Sequence, residues 1–201
     1  MAAGFPLKIN GLDIRTSEAL YQACRFPTRP DVQRKIIKQK SPMAAKMKSK
    51  PYRRSENRSD WDQVRIRIMR WCLRVKLAQN WNKFSKLLLD TDPLDIVELS
   101  YKDDFWGAKP MKDEALLVGT NALGRLLMKL RDRIKNEPQH VLLRVAPLEI
   151  ENFQLDGEPI QMIDMAINTG HRSSVGGPHE RRVVIKSNPA SSQQKLFDSP
   201  T

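Results

Sequence analysis

The residues of this chain that are able to do chemistry gather in its first half. Glu18 stands behind Thr16-Ser17, Lys46 sits in Ala45-Lys46-Met47, and Lys48, Lys50, Arg53 and Arg54 follow closely. A carboxylate can activate water, and clustered Lys and Arg neutralise phosphates. Each also has a plainer use. Glu18 at a helix start complements the helix dipole, worth ~0.3–1 kcal/mol, and Lys46 is one more solvated lysine in a basic run. Further along, Asp103 precedes Phe105-Trp106-Gly107, and Asn121 and Gly124 lie at a turn entering a helix. Backbone N–H groups at such a turn can take a phosphate; the competing use is close helix packing at Gly124 with Asn121 as a cap. Trp61 reads equally as core and as an aromatic platform for a base. Arg67, Arg70 and Arg74 form a solvated arc or, with Lys48, Lys50, Arg53 and Arg54, a track for a nucleic-acid backbone.

The charge distribution gives these residues a context. The 201 residues carry a net charge of +12. Residues 1–80 hold 19 Lys and Arg against 6 Asp and Glu, and residues 81–201 hold 16 against 17, so the whole surplus lies in the first 80 residues. Such asymmetry marks a surface that meets phosphates, with a soluble basic face as the plainer reading. No stretch approaches the ~20 apolar residues of a membrane span, and the N-terminus lacks a charged region followed by an apolar one. Cys24 and Cys72 sit inside apolar patterns and the three histidines are scattered, which excludes a disulfide scaffold and a zinc finger. The Walker-type phosphate loop, the paired-glycine dinucleotide fingerprint, the two-histidine zinc-protease motif and the serine nucleophile elbow are all absent. The expectation is a soluble, unexported, cytoplasmic protein without metal or other cofactor.

The elements that must position these residues are short. Residues 5–15 alternate apolar and polar around Asn10-Gly11, which predicts a hairpin of two strands. Thr16-Ser17-Glu18 caps a helix running through Leu20, Tyr21 and Cys24 towards Phe26, closed by Pro27 and Pro30. Val32, Ile36 and Ile37 repeat at helical spacing, Ser41-Pro42 starts a short helix through Lys46, and residues 48–59 read as an exposed basic loop without core residues. Ser59 and Asp62 have capping-box spacing ahead of the most regular segment, which runs to Asn80. On its wheel Trp61, Val64, Ile68, Trp71 and Val75 make one apolar stripe and Ile66, Met69, Leu73 and Leu77 another, so this helix is predicted to be buried on two sides. Residues 82–89 and 121–134 read as helices, 96–99 and 141–145 as strands. From about Gly170 onward Ser, Pro, Gly and Gln dominate, which predicts a disordered tail despite Val183-Val184-Ile185.

Clusters along most of this chain resemble one family, in its order. Phe5-Pro6-Leu7-Lys8 with Gly11, Thr16-Ser17-Glu18 and Tyr21-Gln22-Ala23 with Arg25-Phe26 resemble the opening of NADAR (YbiA-like) proteins. Ser41-Pro42-Met43-Ala44-Ala45-Lys46-Met47, Trp61 with Val64, Met69, Arg70 and Lys76, Asp103-Asp104-Phe105-Trp106-Gly107 and Gly119-Thr120-Asn121-Ala122-Leu123-Gly124 continue it to about residue 134. The resemblance implies one compact, helix-rich α+β domain over residues 1–134, a packed extension over 135–168 and a tail over 169–201. The family's first strand, with its Ser-Asn pair, is expected upstream of Phe5, which would make Met1 an internal methionine.

Members of that family cleave N-glycosidic bonds, in riboflavin-pathway intermediates or between ADP-ribose and guanine in nucleic acid. Residues 18–27 and 45–52 are similar to the second group, some of which act as antitoxins to DarT-like ADP-ribosyltransferases. The resemblance implies Glu18, Lys46 and Asp103 as catalytic, and Gln22, Trp61, Trp106, Gly107, Asn121 and Gly124 as substrate-binding; because an aminal on guanine's exocyclic nitrogen can ring-open to an imine, Lys46, or its neighbour Lys48, could capture the sugar as a Schiff base. Lys48, Lys50, Arg53 and Arg54 would follow a DNA or RNA backbone. Two other readings stand beside this one: a small-molecule N-glycosidase of riboflavin intermediates, and a non-catalytic module binding ADP-ribose or nucleic acid.

Overall fold

The computed structural model describes residues 4–111 and 116–166. The hairpin forms where the Asn-Gly pair requires it. Strands β1 (Leu7–Ile9) and β2 (Leu12–Ile14) pair antiparallel with Leu7 opposite Ile14, and the turn needs positive φ at both Asn10 (48°) and Gly11 (80°). The Gln79 side chain then docks the hairpin, accepting from the Lys8 N–H and donating to its carbonyl, both at 2.8 Å.

Three short helices follow: α1 (Ser17–Ala23), α2 (Pro30–Ile37) and α3 (Pro42–Ser49). Thr16 and Ser41 cap α1 and α3, their hydroxyls accepting from the N–H groups of Ala19 and Ala44 at 3.1 Å. The core is built around the 19-residue α4 (Trp61–Gln79), whose Trp61, Val64, Ile68, Trp71 and Val75 are all buried. The second stripe is buried apart from Ile66. Helix α5 (Trp81–Leu89) and helix α6 (Ala122–Asn136) pack on α4 and on each other. Strands β3 (Lys109–Pro110) and β4 (Leu117–Val118) form a two-stranded pair ahead of α6.

Residues 137–166 complete the core. After α7 (Gln139–Leu142), β5 (Arg144–Val145) pairs with β8 (Ile163–Asp164), and β6 (Gln154–Leu155) with β7 (Glu158–Pro159). Trp71 meets the Phe153 ring edge-on at 4.9 Å and donates its indole N–H to the Ala146 carbonyl at 2.9 Å. Fully buried Gln33 ties α2 to this region, donating to the carbonyls of Ala23 and Gln154 and accepting from the Asp156 N–H. The architecture is helix-rich α+β, and among the described residues the strands pair only in twos. No helix among the described residues is long and apolar enough to cross a membrane.

Four local expectations are corrected. The Ser59/Asp62 capping box does not form: α4 starts at Trp61 without a side-chain cap, because the Asp60 carboxylate beside it is held by Arg58. Residues 96–99 are not a strand. The Asn121 side chain occupies the backbone there, accepting from Glu98 N–H at 3.1 Å and donating to the Ile96 carbonyl at 2.9 Å, and only Leu99 bridges to Ala108. Residues 141–145 begin as helix, since Pro138 accepts the N–H groups of the first turn of α7, and become strand only at Arg144. Residues 48–59 are not simply an exposed loop. Helix α3 runs on to Ser49, Lys50–Tyr52 make a 3-10 turn, and Ser49 and Arg58 are buried. The tail expected from Gly170, including Val183-Val184-Ile185, lies outside the described residues.

Candidate active site

Helical spacing from Glu18 explains which side chains meet. Tyr21 and Gln22 lie three and four residues on, and Arg25 seven residues on, just past the end of α1, so all four share one face. The Glu18 carboxylate accepts from the Gln22 amide N–H at 2.7 Å. The buried Gln22 Oε1 in turn accepts from Ser49 Oγ at 2.9 Å and from Arg53 Nη2 at 3.1 Å. Arg53 also donates to Ser49 Oγ at 2.8 Å and to the Lys46 carbonyl at 3.2 Å. One continuous network therefore fixes the Glu18 carboxylate and the end of α3 together. Its middle is out of water, where such bonds are strongest.

An aromatic and cationic cluster stands beside that carboxylate. Tyr21 packs on Trp61 with ring centroids 5.1 Å apart and meets Trp106 edge-on at 5.6 Å. The Arg25 guanidinium lies 3.9 Å over the Trp61 ring, and Arg65, four residues along α4, lies 3.9 Å over Phe105. Burial pushes the Arg25 guanidinium down to about 10, with neighbouring Arg53 and Arg65 acting the same way and Tyr21 and Glu18 opposing them. Burial also lowers Arg53. Burial raises the Tyr21 phenol well above its ordinary value, so its hydroxyl stays a hydrogen-bond donor. Tyr21 Oη, Arg25 Nε and Arg65 Nε are buried without a hydrogen-bond partner.

The Asp103 segment acts as scaffold. Asp103 Oδ1 accepts from the N–H groups of Phe105 and Trp106 at 3.1 and 2.9 Å, closing the turn that delivers Trp106 to Tyr21. Carbonyls of that turn absorb the donors at the start of α6: Asn121, Ala122 and Leu123 donate to Gly107, Phe105 and Trp106 at 2.9–3.1 Å. The phosphate role considered for this turn is corrected accordingly at Asn121, because the N–H groups of Asn121, Ala122 and Leu123 are spent on those carbonyls. A Cβ on Gly124 would stand 2.0 Å from the Ile96 carbonyl oxygen, and one on Gly107 would stand 2.2 Å from that of Glu98. Both glycines serve close packing, and Asn121 holds a left-handed φ of 49° while stitching residues 96–98.

Glu18, Gln22, Trp61 and Trp106 thus come together around Tyr21. Lys46 is exposed on α3, joined to the site through its own carbonyl, and Lys48, Lys50 and Arg54 are exposed on the rim. Arg53 departs from the rim role expected of it, because its guanidinium turns inward to Gln22. Sequence reasoning missed Arg65 and gave Tyr21, Arg25 and Ser49 no role. The i, i+3, i+4, i+7 spacing from Glu18 was the available signal for the first two, and nothing local marks Arg65 or Ser49. Among the described residues no group of three or more His, Cys, Asp or Glu could hold a metal ion. Two surface clefts lie elsewhere, about 820 Å³ beside the hairpin and about 530 Å³ between α4 and α6.

Comparison with known proteins places this arrangement. Residues 2–135 match the model of the NADAR domain. N-glycosidase YbiA of Escherichia coli (strain K12) is 36% identical over 139 residues, which are 67% of this chain and 79% of that protein. Riboflavin biosynthesis protein VVA0006 of Vibrio vulnificus (strain YJ016) is 29% identical over 183 residues; they cover 89% of this chain, which spans only about half, 47%, of the Vibrio protein. The solved structure of E. coli YbiA superposes with a TM-score of 0.54 at 34% identity, covering 66% of this chain and 74% of that one. The expected resemblance is therefore shown along the whole segment that carries Glu18, Trp61 and the Trp106 turn, and the chain belongs to the NADAR family.

Proposed function

We propose that the protein is an N-glycosidase that removes ADP-ribose from guanine bases of DNA or RNA. It is a glycosyl hydrolase. The observation that carries the chemistry is the Glu18 carboxylate, held at 2.7 Å by a buried glutamine, with Arg25 and Arg53 close enough to feel its charge and Arg65 beside Arg25 and Tyr21. Cleaving an N-glycosidic bond builds positive charge at the anomeric carbon, which a fixed carboxylate stabilises while it orients the attacking water. Water adds to that carbon, the C–N bond breaks, and the base leaves with a proton.

Lys46 offers a variant of the same cleavage. Ring opening of the ribosyl aminal leaves an imine to the guanine nitrogen; the Lys46 amine adds to its carbon, guanine leaves as the amine, and water releases the sugar. The macromolecular substrate is supported by Lys46, Lys48, Lys50 and Arg54, exposed together beside the Arg53 anchor. In this reading the activity reverses a modification and pairs with a DarT-like ADP-ribosyltransferase. Its place is the cytoplasm, where the two free, buried thiols of Cys24 and Cys72 stay reduced. A second reading, hydrolysis of a ribosylamino-pyrimidine intermediate, draws support from the name of the Vibrio relative.

The deciding experiment offers the protein a guanine-ADP-ribosylated oligonucleotide and, separately, a phosphoribosylamino-pyrimidine, at two salt concentrations. The proposal expects release of ADP-ribose, falling steeply with salt. Cleavage of the pyrimidine alone transfers the assignment to the second reading, and cleavage of neither overturns both. Borohydride during turnover is expected to leave a mass adduct on Lys46; full activity of Lys46→Ala sinks the Schiff base.

A further inference from the structure

We propose that Arg25 and Arg65, together with the Tyr21 hydroxyl, form a preorganised subsite beside Glu18 for the phosphate carried by the substrate's ribose. The inference rests on the N-glycosidase reading for the identity of the ligand.

Stacking is the first ground. A guanidinium laid 3.9 Å over an aromatic ring has its plane fixed, and the donors left to it lie along its edge. Arg25 and Arg65 come from different elements, the end of α1 and the first turns of α4, and each is held by its own ring, Trp61 and Phe105. Neither has a strong acceptor. Arg25 reaches Asn57 Oδ1 only at 3.5 Å, and Arg65 approaches Asp62 Oδ1 at 3.6 Å, a carboxylate whose side chain is 83% exposed. Arg53, by contrast, is already occupied by Gln22, Ser49 and the Lys46 carbonyl.

Charge is the second ground. Arg25, Arg53 and Arg65 all lie close enough to Tyr21 or to one another to alter their ionisation, and Glu18 is the carboxylate among them. Three cations in one cluster with a single carboxylate leave a positive surplus that an anionic ligand would neutralise. The third ground is the Tyr21 hydroxyl, 2% exposed as a residue, protonated, and without an acceptor. An O–H left bare in the interior is destabilising, a cost that a ligand oxygen removes. Two guanidiniums and one hydroxyl, brought into one aromatic cluster by α1, the residue just past its end and α4, suit the three terminal oxygens of a phosphate better than the two of a carboxylate.

The test is binding by titration calorimetry of the full chain, with ribose, ribose 5-phosphate and ADP-ribose as probes, none of which requires turnover. Wild type is expected to bind ribose 5-phosphate at least tenfold more tightly than ribose, and Arg65→Met to lose most of that margin while its affinity for ribose stays. Arg65→Lys is expected not to restore it, since an ammonium cannot keep the stacked edge. Lys83→Met, exposed on α5 and outside the site, serves as the control for mere loss of a charge. Tighter binding of ADP-ribose than of ribose 5-phosphate identifies the phosphate as part of a diphosphate, and the reverse order identifies a monoester; both support the subsite. Equal affinity of wild type for ribose and ribose 5-phosphate, or an Arg65→Met protein that keeps the phosphate margin, overturns it. Phosphate binding without cleavage of any N-glycoside would leave the subsite standing and remove the N-glycosidase reading. Cleavage with phosphate-blind binding would do the opposite.

Discussion

Helix α4 presses cations onto aromatic rings at both ends, and the two ends differ in kind. At its start Arg25 lies over Trp61 and Arg65 over Phe105. About 22 Å along the helix axis from Trp61, by its 1.5 Å rise per residue, the Lys76 ammonium sits 4.3 Å from the Phe5 ring centroid and 4.2 Å from that of Phe84. The first end is planar guanidiniums with donor edges to spare, a carboxylate beside them and an unpartnered hydroxyl. The second is one compact ammonium, 2% exposed, enclosed between two rings. A cation over an aromatic ring is therefore not in itself a site. What marks a site is a surplus of oriented donors next to a group that can react.

The sharpest way to break that contrast is to disable each end in turn. Glu18→Gln keeps the hydrogen-bonding shape beside Gln22 and removes the charge, so turnover should fall by about 10²–10⁴ with little change in thermal stability. Lys76→Met should leave the turnover of the folded protein within a few-fold of wild type. Steady-state rates and melting curves of the two variants check both halves. Comparable loss of turnover in both would mean that the distinction between the ends is wrong.

How much of this was legible in the sequence depends on how local the cause is. The Asn10-Gly11 turn, the Thr16 and Ser41 caps and the buried stripe from Trp61 to Val75 are dictated by neighbours a few residues away, and they were readable. The Ser59/Asp62 box failed because Arg58, anchored also to the Glu151 carbonyl, takes the adjacent Asp60 instead. Asn121 and Gly124 could be read two ways until the Ile96 carbonyl was seen at their backs. Glu18 and Gln22 were reachable through the family's motifs. The partnership of Arg25 with Arg65 was not, because it joins segments 40 residues apart through rings contributed by α4 and the Trp106 turn.

The Lys76 end makes its own prediction, about stability. Burial pushes the Lys76 ammonium down to about 8 from its ordinary 10.5. The folded protein thus gives up this proton before the unfolded chain does. Between about pH 8 and pH 10.5 the unfolded state binds more protons, so this group makes folding more favourable as pH rises through that window; below pH 8 its burial cost is at full strength. The span is of order 3 kcal/mol. Urea unfolding at steps from pH 7 to pH 10 should show wild type gaining on Lys76→Met by most of that amount. Parallel curves for the two proteins would contradict the assignment of the slope to Lys76.

At the Trp61 end the smallest change is the most discriminating. Tyr21→Phe deletes one oxygen that has no partner in the folded chain and leaves the ring on Trp61 and Trp106. If that hydroxyl were structural, its loss would destabilise the fold. If it is held ready for a ligand, removing a bare buried O–H should instead raise stability by about 1 kcal/mol, while affinity for ribose 5-phosphate falls several-fold and affinity for ribose does not. Stability and binding are then expected to move in opposite directions, which packing alone would not produce. Denaturant unfolding and calorimetry on the same sample read both. A Tyr21→Phe protein that is less stable and binds ribose 5-phosphate as wild type does would return the hydroxyl to the core, and make the Trp61 end more like the Lys76 end than its donors suggest.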